Sequence, residues 1–252
     1  MVNASPLLLW SFVALALVVA SAFVAAVHRS SSADRAQRSR ETAIASIATV
    51  AWLLLTLVLA ASGRLSFTSR PPTMPFLIVA IFAVAFGIGA SRLGLRIATG
   101  IPLAALVGVQ AFRFPLELLL HRSYQEGLMP VQMSYSGLNY DILSGLSAIV
   151  VALVLLRRPS SLAWVRVWNV AGIVLLANIL VIALVSAPTP LRVFHNEPAN
   201  VWITRAPWVW LPAVNVLAAV LGHVLVYRRL RHEAQTAARA PLASAPALGM
   251  SR

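Results

Sequence analysis

Apolar residues along this chain come in blocks of about twenty, separated by short polar stretches that carry most of the arginines. A hydrocarbon core about 30 Å thick is crossed by about 20 helical residues, so blocks of this length predict membrane-spanning helices. The pattern predicts seven, at Pro6–Val27, Ala43–Ser62, Met74–Ser91, Ile97–Leu120, Leu138–Leu156, Val167–Ala187 and Pro207–Tyr227. The expected fold class is all-α, a polytopic membrane helix bundle of seven transmembrane helices occupying residues 1–232. Residues 233–252, rich in Ala and Pro and without apolar periodicity, read as a disordered cytoplasmic tail.

Arginine placement predicts which way round the bundle sits. Arg29, Arg35, Arg38 and Arg40 follow the first block, Arg92 and Arg96 the third, Arg157, Arg158 and Arg166 the fifth, and Arg228, Arg229, Arg231, Arg239 and Arg252 the seventh. The other face has only Arg64, Arg70, Arg122, Arg192 and Arg205. Cytoplasmic loops carry the excess of basic residues, so the N-terminus is expected outside and the C-terminus in the cytoplasm, in a multi-pass protein of the cell inner membrane. The first block is not a secretory signal on this reading, because its basic residues follow it rather than precede it. Trp202, Trp208 and Trp210, with Tyr124, Tyr135 and Tyr140, are expected to form an outer aromatic belt.

Composition narrows the classes further. With 60% hydrophobic and 11% charged residues the chain is too apolar for an ordinary soluble domain, and its partner is the lipid bilayer. The net charge of +13 sits at block ends, without a separate basic patch, which argues against nucleic acid. All basic residues are Arg, and with no Lys anywhere a retinal Schiff base is excluded. Zero Cys excludes disulfides and thiolate metal sites. No cofactor is predicted. In the third block, Ala83, Gly87 and Ser91 recur every four residues and predict a face for close helix packing.

The candidate chemistry lies in the fourth block, where Phe112-Arg113-Phe114-Pro115-Leu116-Glu117 places two charges in apolar surroundings. A charge near mid-membrane costs about 2.5–3.5 kcal/mol on insertion scales and is kept where it pairs or lines a wet cavity. Helical spacing puts Gln110, Arg113, Glu117 and His121 on one stripe. Pro115 removes one N–H and predicts a kink with a freed carbonyl at Ala111. Arg before Glu at this spacing is the poorer order for an intrahelical pair, so a partner from another helix is expected, with Asn139, Asp141 and Ser144 nearest in depth and Asn178 and Asn215 behind them. The connection from Arg122 to Asp141 is expected to fold over the outer mouth.

These residues predict a polar site in the outer half of the bundle, formed by Arg113, Glu117, His121, Gln110, Asn139 and Asp141, that binds or transports a small polar or anionic ligand or relays protons. Two alternatives stand beside it. One is a membrane-embedded metal-assisted hydrolase using Glu117, His121, Asp141 and His195, although no His-Glu-x-x-His motif supports it. The other is a non-catalytic accessory subunit in which Arg113 and Glu117 form a packing ion pair. The segments Phe112–Glu117, Glu126-Gly127-Leu128-Met129-Pro130 and Asn139-Tyr140-Asp141-Ile142 resemble those of uncharacterised small multi-pass bacterial membrane proteins. That resemblance implies a shared fold and brings no activity with it.

Overall fold

The computed structural model describes residues 4–31, 34–157 and 162–243, with side chains to residue 238. Among the described residues every regular element is helical. The first two helices are α1 (Pro6–Ser30) and α2 (Arg35–Ala61). Ser5 caps α1 by accepting the Leu8 N–H, with Pro6 at the first helical position, and the Asp34 carboxylate caps α2 through the Gln37 N–H. Helix α3 (Thr73–Ala90) meets α4 (Arg92–Gly100) at Ser91, whose Oγ accepts the Gly94 N–H at 3.2 Å and donates to the Ile88 carbonyl at 2.7 Å.

The expected fourth block begins later than its sequence suggests. Pro102 forces Ile101 into extended backbone and ends α4 as a separate short helix. The span then runs from Leu103 to Gln125, through α5 (Leu103–Gly108), a 3₁₀ turn (Val109–Phe112) and α6 (Arg113–Gln125). Pro115 is the third residue of α6, in a first turn whose N–H groups lack intrahelical partners in any case, and the 3₁₀ turn before it lets the Arg113 N–H bond to the Gln110 carbonyl.

Among the described residues six helices are long and apolar enough to cross a membrane: Pro6–Ser30, Arg35–Ala61, Thr73–Ala90, Leu103–Gln125, Leu162–Val185 (α8) and Leu211–Ala238. The last begins as a π-helical segment, Leu211–Val216, and continues as α9 (Leu217–Ala243). Helix therefore extends into the stretch read as tail, and 244–252 lie outside the described residues. The apolar helix expected at Leu138–Leu156 is shorter, α7 (Ile142–Arg157), with 16 residues. It doubles back along the preceding span: Gly145 lies against Phe114 and Ala152 against Gly108, so the two segments are antiparallel.

The connection before α7 does not merely cover the bundle. Gln132, Met133, Ser134, Asn139 and Asp141 are buried, so a 3₁₀ turn (Val131–Met133) and the irregular backbone after it dip into the helices and begin α7 well below the end of α6. Such backbone is tolerated at this depth where protein satisfies it. Gln132 donates to Ser186 Oγ and accepts from Asn196, and Asn178 donates to the Leu138 carbonyl, fastening the dip to α8 and the loop after it.

At the end of the bundle where α1 begins, Ser5 donates N–H and Oγ–H to Glu126, tying α1 to the end of α6. Burial alone would raise the Glu126 carboxyl, but the bonds from Ser5 and Arg122 outweigh it and hold it below the ordinary range. At the opposite, arginine-rich end, Arg229 donates to the carbonyls of Ala98, Thr99 and Ile101, and Arg228 to that of Ser91 at 2.6 Å. These cations meet the carbonyl ends of α3 and α4, where the helix dipole favours positive charge.

Two expectations about packing change. Trp202, Trp208 and Trp210 are buried, with Trp208 centred 4.9 Å from Phe12 and 5.2 Å from Trp202, so they form an internal cluster rather than a belt. The face of α3 that meets a neighbour carries Ile81, Ala85 and Gly89, all buried, whereas a Cβ on Gly87 would meet nothing. A Cβ on Gly89 would lie 2.5 Å from Val224 of α9, and one on Gly145 would overlap the α6 backbone at Phe114. We therefore expect Gly145→Ala to lower unfolding free energy in detergent by about 1–3 kcal/mol through overpacking. Gly87→Ala should leave it unchanged or raised by about 0.5–1 kcal/mol, as for a glycine replaced in an open helix.

Candidate functional site

The buried polar groups lie between two apolar cores. One core, around Phe12, Met74, Leu116 and Trp208, fills the end where α1 begins, and the other, around Val27, Ile97, Leu155 and Leu225, fills the arginine-rich end. Phe112, Ile179 and Leu217 pack against both, so the polar groups on α6 occupy the seam.

Arg113, 1% exposed, opens α6 directly after the 3₁₀ turn. Its Nε donates to Asp141 Oδ2 at 2.6 Å, and its Nη2 pairs with Asp141 Oδ1 to make a two-pronged ion pair. This planar fork is the geometry a guanidinium offers a carboxylate and an ammonium does not. Asp141 stands just before α7 and its carbonyl accepts the Ser144 N–H, so its carboxylate also lies by the positive end of that helix.

The remaining guanidinium nitrogen fixes a histidine. Arg113 Nη1 lies 2.9 Å from His223 Nε2, and since arginine only donates, Nε2 carries the lone pair and Nδ1 the hydrogen. That hydrogen is donated to Asn169 Oδ1 at 2.9 Å. Glycine on the facing helix makes room at each of two points: a Cβ on Gly172 would sit 2.5 Å from His223 Cε1, and one on Gly222 would overlap the Gln110 amide.

Glu117, also 1% exposed, stands one turn beyond Arg113 and does not pair with it. Its Oε2 accepts from Asn139 Nδ2 at 2.7 Å. Asn139 in turn donates to the Met133 carbonyl at 3.1 Å and accepts the Asp141 N–H on Oδ1 at 3.0 Å, an Asx-type turn. A single asparagine thus holds the Glu117 carboxyl and the Asp141 backbone. A cavity of about 60 Å³ adjoins them, with Arg113, Glu117, Asp141 and Asn215 as its polar lining. That is room for about two waters.

The predicted stripe therefore divides. Arg113, Glu117, Asn139 and Asp141 converge. Gln110 is buried one turn below, donating to the Ala219 carbonyl at 3.0 Å, with its Oε1 unpartnered. His121 stands apart near the end of α6, bonded to Ser136 and Gln125 and stacked on Tyr135 with ring centres 4.3 Å apart. The alternative metal set of Glu117, His121, Asp141 and His195 is not assembled: His195 is exposed, and among the described residues no three His, Asp or Glu side chains converge as ligands. His223 and Asn169 are the residues that sequence reasoning misses. Their one signal is that each interrupts an apolar block, as Arg113 does.

Over residues 71–231 the chain matches a family described as a domain of unknown function (DUF8737). The match begins just before α3 and takes in every residue of the buried network. Neither a curated protein nor a solved structure matches the chain.

The pairing predicts which double substitution repairs the bundle. Asp141→Leu leaves a buried guanidinium without its counter-ion and should destabilise the fold by about 3–5 kcal/mol. Adding Arg113→Leu should recover most of that loss in equilibrium unfolding, while Arg113→Leu with Glu117→Leu should not, because Asp141 would then be left alone.

Proposed function

We propose that this chain, which belongs to the DUF8737 family, is a seven-span protein of the bacterial inner membrane that binds and passes protons at Glu117. The observation that carries this reading is a charge count in the seam: one guanidinium faces two carboxyls. Arg113 gives Nε and Nη2 to Asp141 and Nη1 to His223, which supplies no charge while its Nε2 accepts from arginine. Glu117 is then the one carboxyl without a cation of its own, in a site large enough for about two waters, and a proton neutralises it with the least reorganisation. An anionic ligand fits less well, since the positive charge is already committed.

The antiparallel course of α7 supports a seven-span topology. Residues 126–141 return inward from the end of α6, and α7 completes the passage back to the arginine-rich end, so α7 is the seventh crossing. The arginine excess then puts the N-terminus outside and the C-terminus in the cytoplasm, with Glu117 reached from the outer half. A second reading, an accessory subunit whose network only fixes packing, is favoured by the closed chain Asp141–Arg113–His223–Asn169.

Two experiments test these readings. In proteoliposomes with an internal pH dye, Glu117→Gln should abolish proton flux and remove one protonated-carboxyl infrared band while the protein stays folded. Flux and band unchanged in Glu117→Gln, or no flux in the native protein, would favour the accessory reading. Since the chain has no Cys, single substitutions report topology cleanly. Ser69→Cys and Thr189→Cys should react with an impermeant maleimide on intact cells and Ala163→Cys should not; reaction at Ala163→Cys would remove the seventh crossing.

A further inference from the structure

A second cavity, of about 280 Å³, opens sideways between α3 and α8. Ile78, Ile81 and Phe82 line one wall and Leu180 and Leu184 the other, with Val181 and Leu184 exposed at the lip. Both walls belong to segments long and apolar enough to cross the bilayer, so the medium at this opening is acyl chain rather than water. Its size is close to the lower end of small-molecule sites, roughly 300 Å³.

The cleft is not an isolated apolar groove. Met133, Leu180, Ala183, Leu211 and Val216 line both it and the small polar cavity beside Glu117, so the two spaces share a wall. Two fully buried amide oxygens lack partners along this route. Asn200 Oδ1 belongs to a residue lining the cleft, and Asn215 Oδ1 to one lining the polar cavity. Their amide nitrogens are directed to the Ala183 and Trp210 carbonyls, so each presents an acceptor without a donor. A buried acceptor left unpaired is costly, and a ligand donor would recover that cost.

We propose that this cleft takes a single-chain amphiphile from the bilayer, its apolar chain between α3 and α8 and its small hydrogen-bond-donating head, a hydroxyl or amine, directed to Asn215 and Glu117. The assignment of the head rests on the reading of Glu117 as the uncompensated carboxyl. The unpartnered groups of Asn200 and Asn215 are acceptors and the donors of Arg113 are occupied, which selects against a carboxylate head of the same chain length. The polar cavity excludes bulky heads by its size.

The test uses the full chain in nanodiscs with photoactivatable decanol, decylamine and decanoate, and maps the labelled peptides. Decanol and decylamine should label α3 and α8 about tenfold more than decanoate, the factor expected from one hydrogen bond to a charged or buried acceptor. Val181→Trp, at the exposed lip where a large side chain can be accommodated, should remove that labelling, and Asn215→Leu should reduce the preference among heads. Equal labelling by all three probes, or labelling unaffected by Val181→Trp, overturns the proposal. The protonated-carboxyl band of Glu117, read on the same sample, distinguishes the two ideas: a band that persists without head preference removes the amphiphile and leaves the proton reading intact.

Discussion

A guanidinium buried in an apolar bundle must be met by charge and by hydrogen-bond acceptors on every donor face, and much of this structure is arranged around meeting Arg113. Asp141 takes two of its nitrogens and His223 a third. Bringing Asp141 to that depth requires the chain after α6 to turn back into the bundle, which in turn shortens α7 and obliges Asn139, Gln132 and Asn178 to satisfy non-helical backbone and loops. Bringing His223 there requires glycine at 172 on the helix opposite. A buried ion pair adds little net stability, because desolvation offsets attraction. Separating the pair is what costs, since it leaves a charge alone in an apolar core.

The same physics decides what was legible in sequence. Arg113, Glu117, Asn139 and Asp141 stand out because charged or amide groups within long apolar stretches are costly unless partnered, and partner depth follows from helical rise. The choice of partner was less accessible. Glu117 is nearer in sequence, yet Arg113 turns to Asp141, since a two-pronged pair needs the carboxylate to approach the guanidinium edge in its plane. His223 is not assigned to the polar site by sequence because it lies four residues from the end of its predicted block and reads as interfacial, whereas α9 continues helical to Ala243. The tryptophans near 205 likewise look interfacial by position alone, and only tertiary packing draws them inward against Phe12. Glycine stripes on α3 carry a two-residue ambiguity: Gly87 and Gly89 offer equal sequence patterns, and the packing of α9 selects the latter.

At the arginine-rich end the side chains do more than mark orientation. Arg228 and Arg229 reach carbonyls left open where α3 and α4 terminate, and Arg96 pairs with Glu41 across to α2. Arg229 turns Nη1 to the carbonyls of Ala98, Thr99 and Ile101 while its Nε donates to Glu233, so one planar group serves a helix end and a carboxylate at once.

The π-helical segment Leu211–Val216 has a mechanical meaning. It winds a residue more into its turn than an α-helix holds, and Asn215 sits within that turn with its amide directed to the Trp210 carbonyl. Tightening it to ordinary pitch would rotate the residues on one side relative to those on the other by about 100°. Asn215 would swing off the chamber it borders, while His223, further along the same rod, would be carried round as well. The wide turn thus sets two registers along one rod, that of Asn215 on the small polar cavity and that of His223 on Arg113.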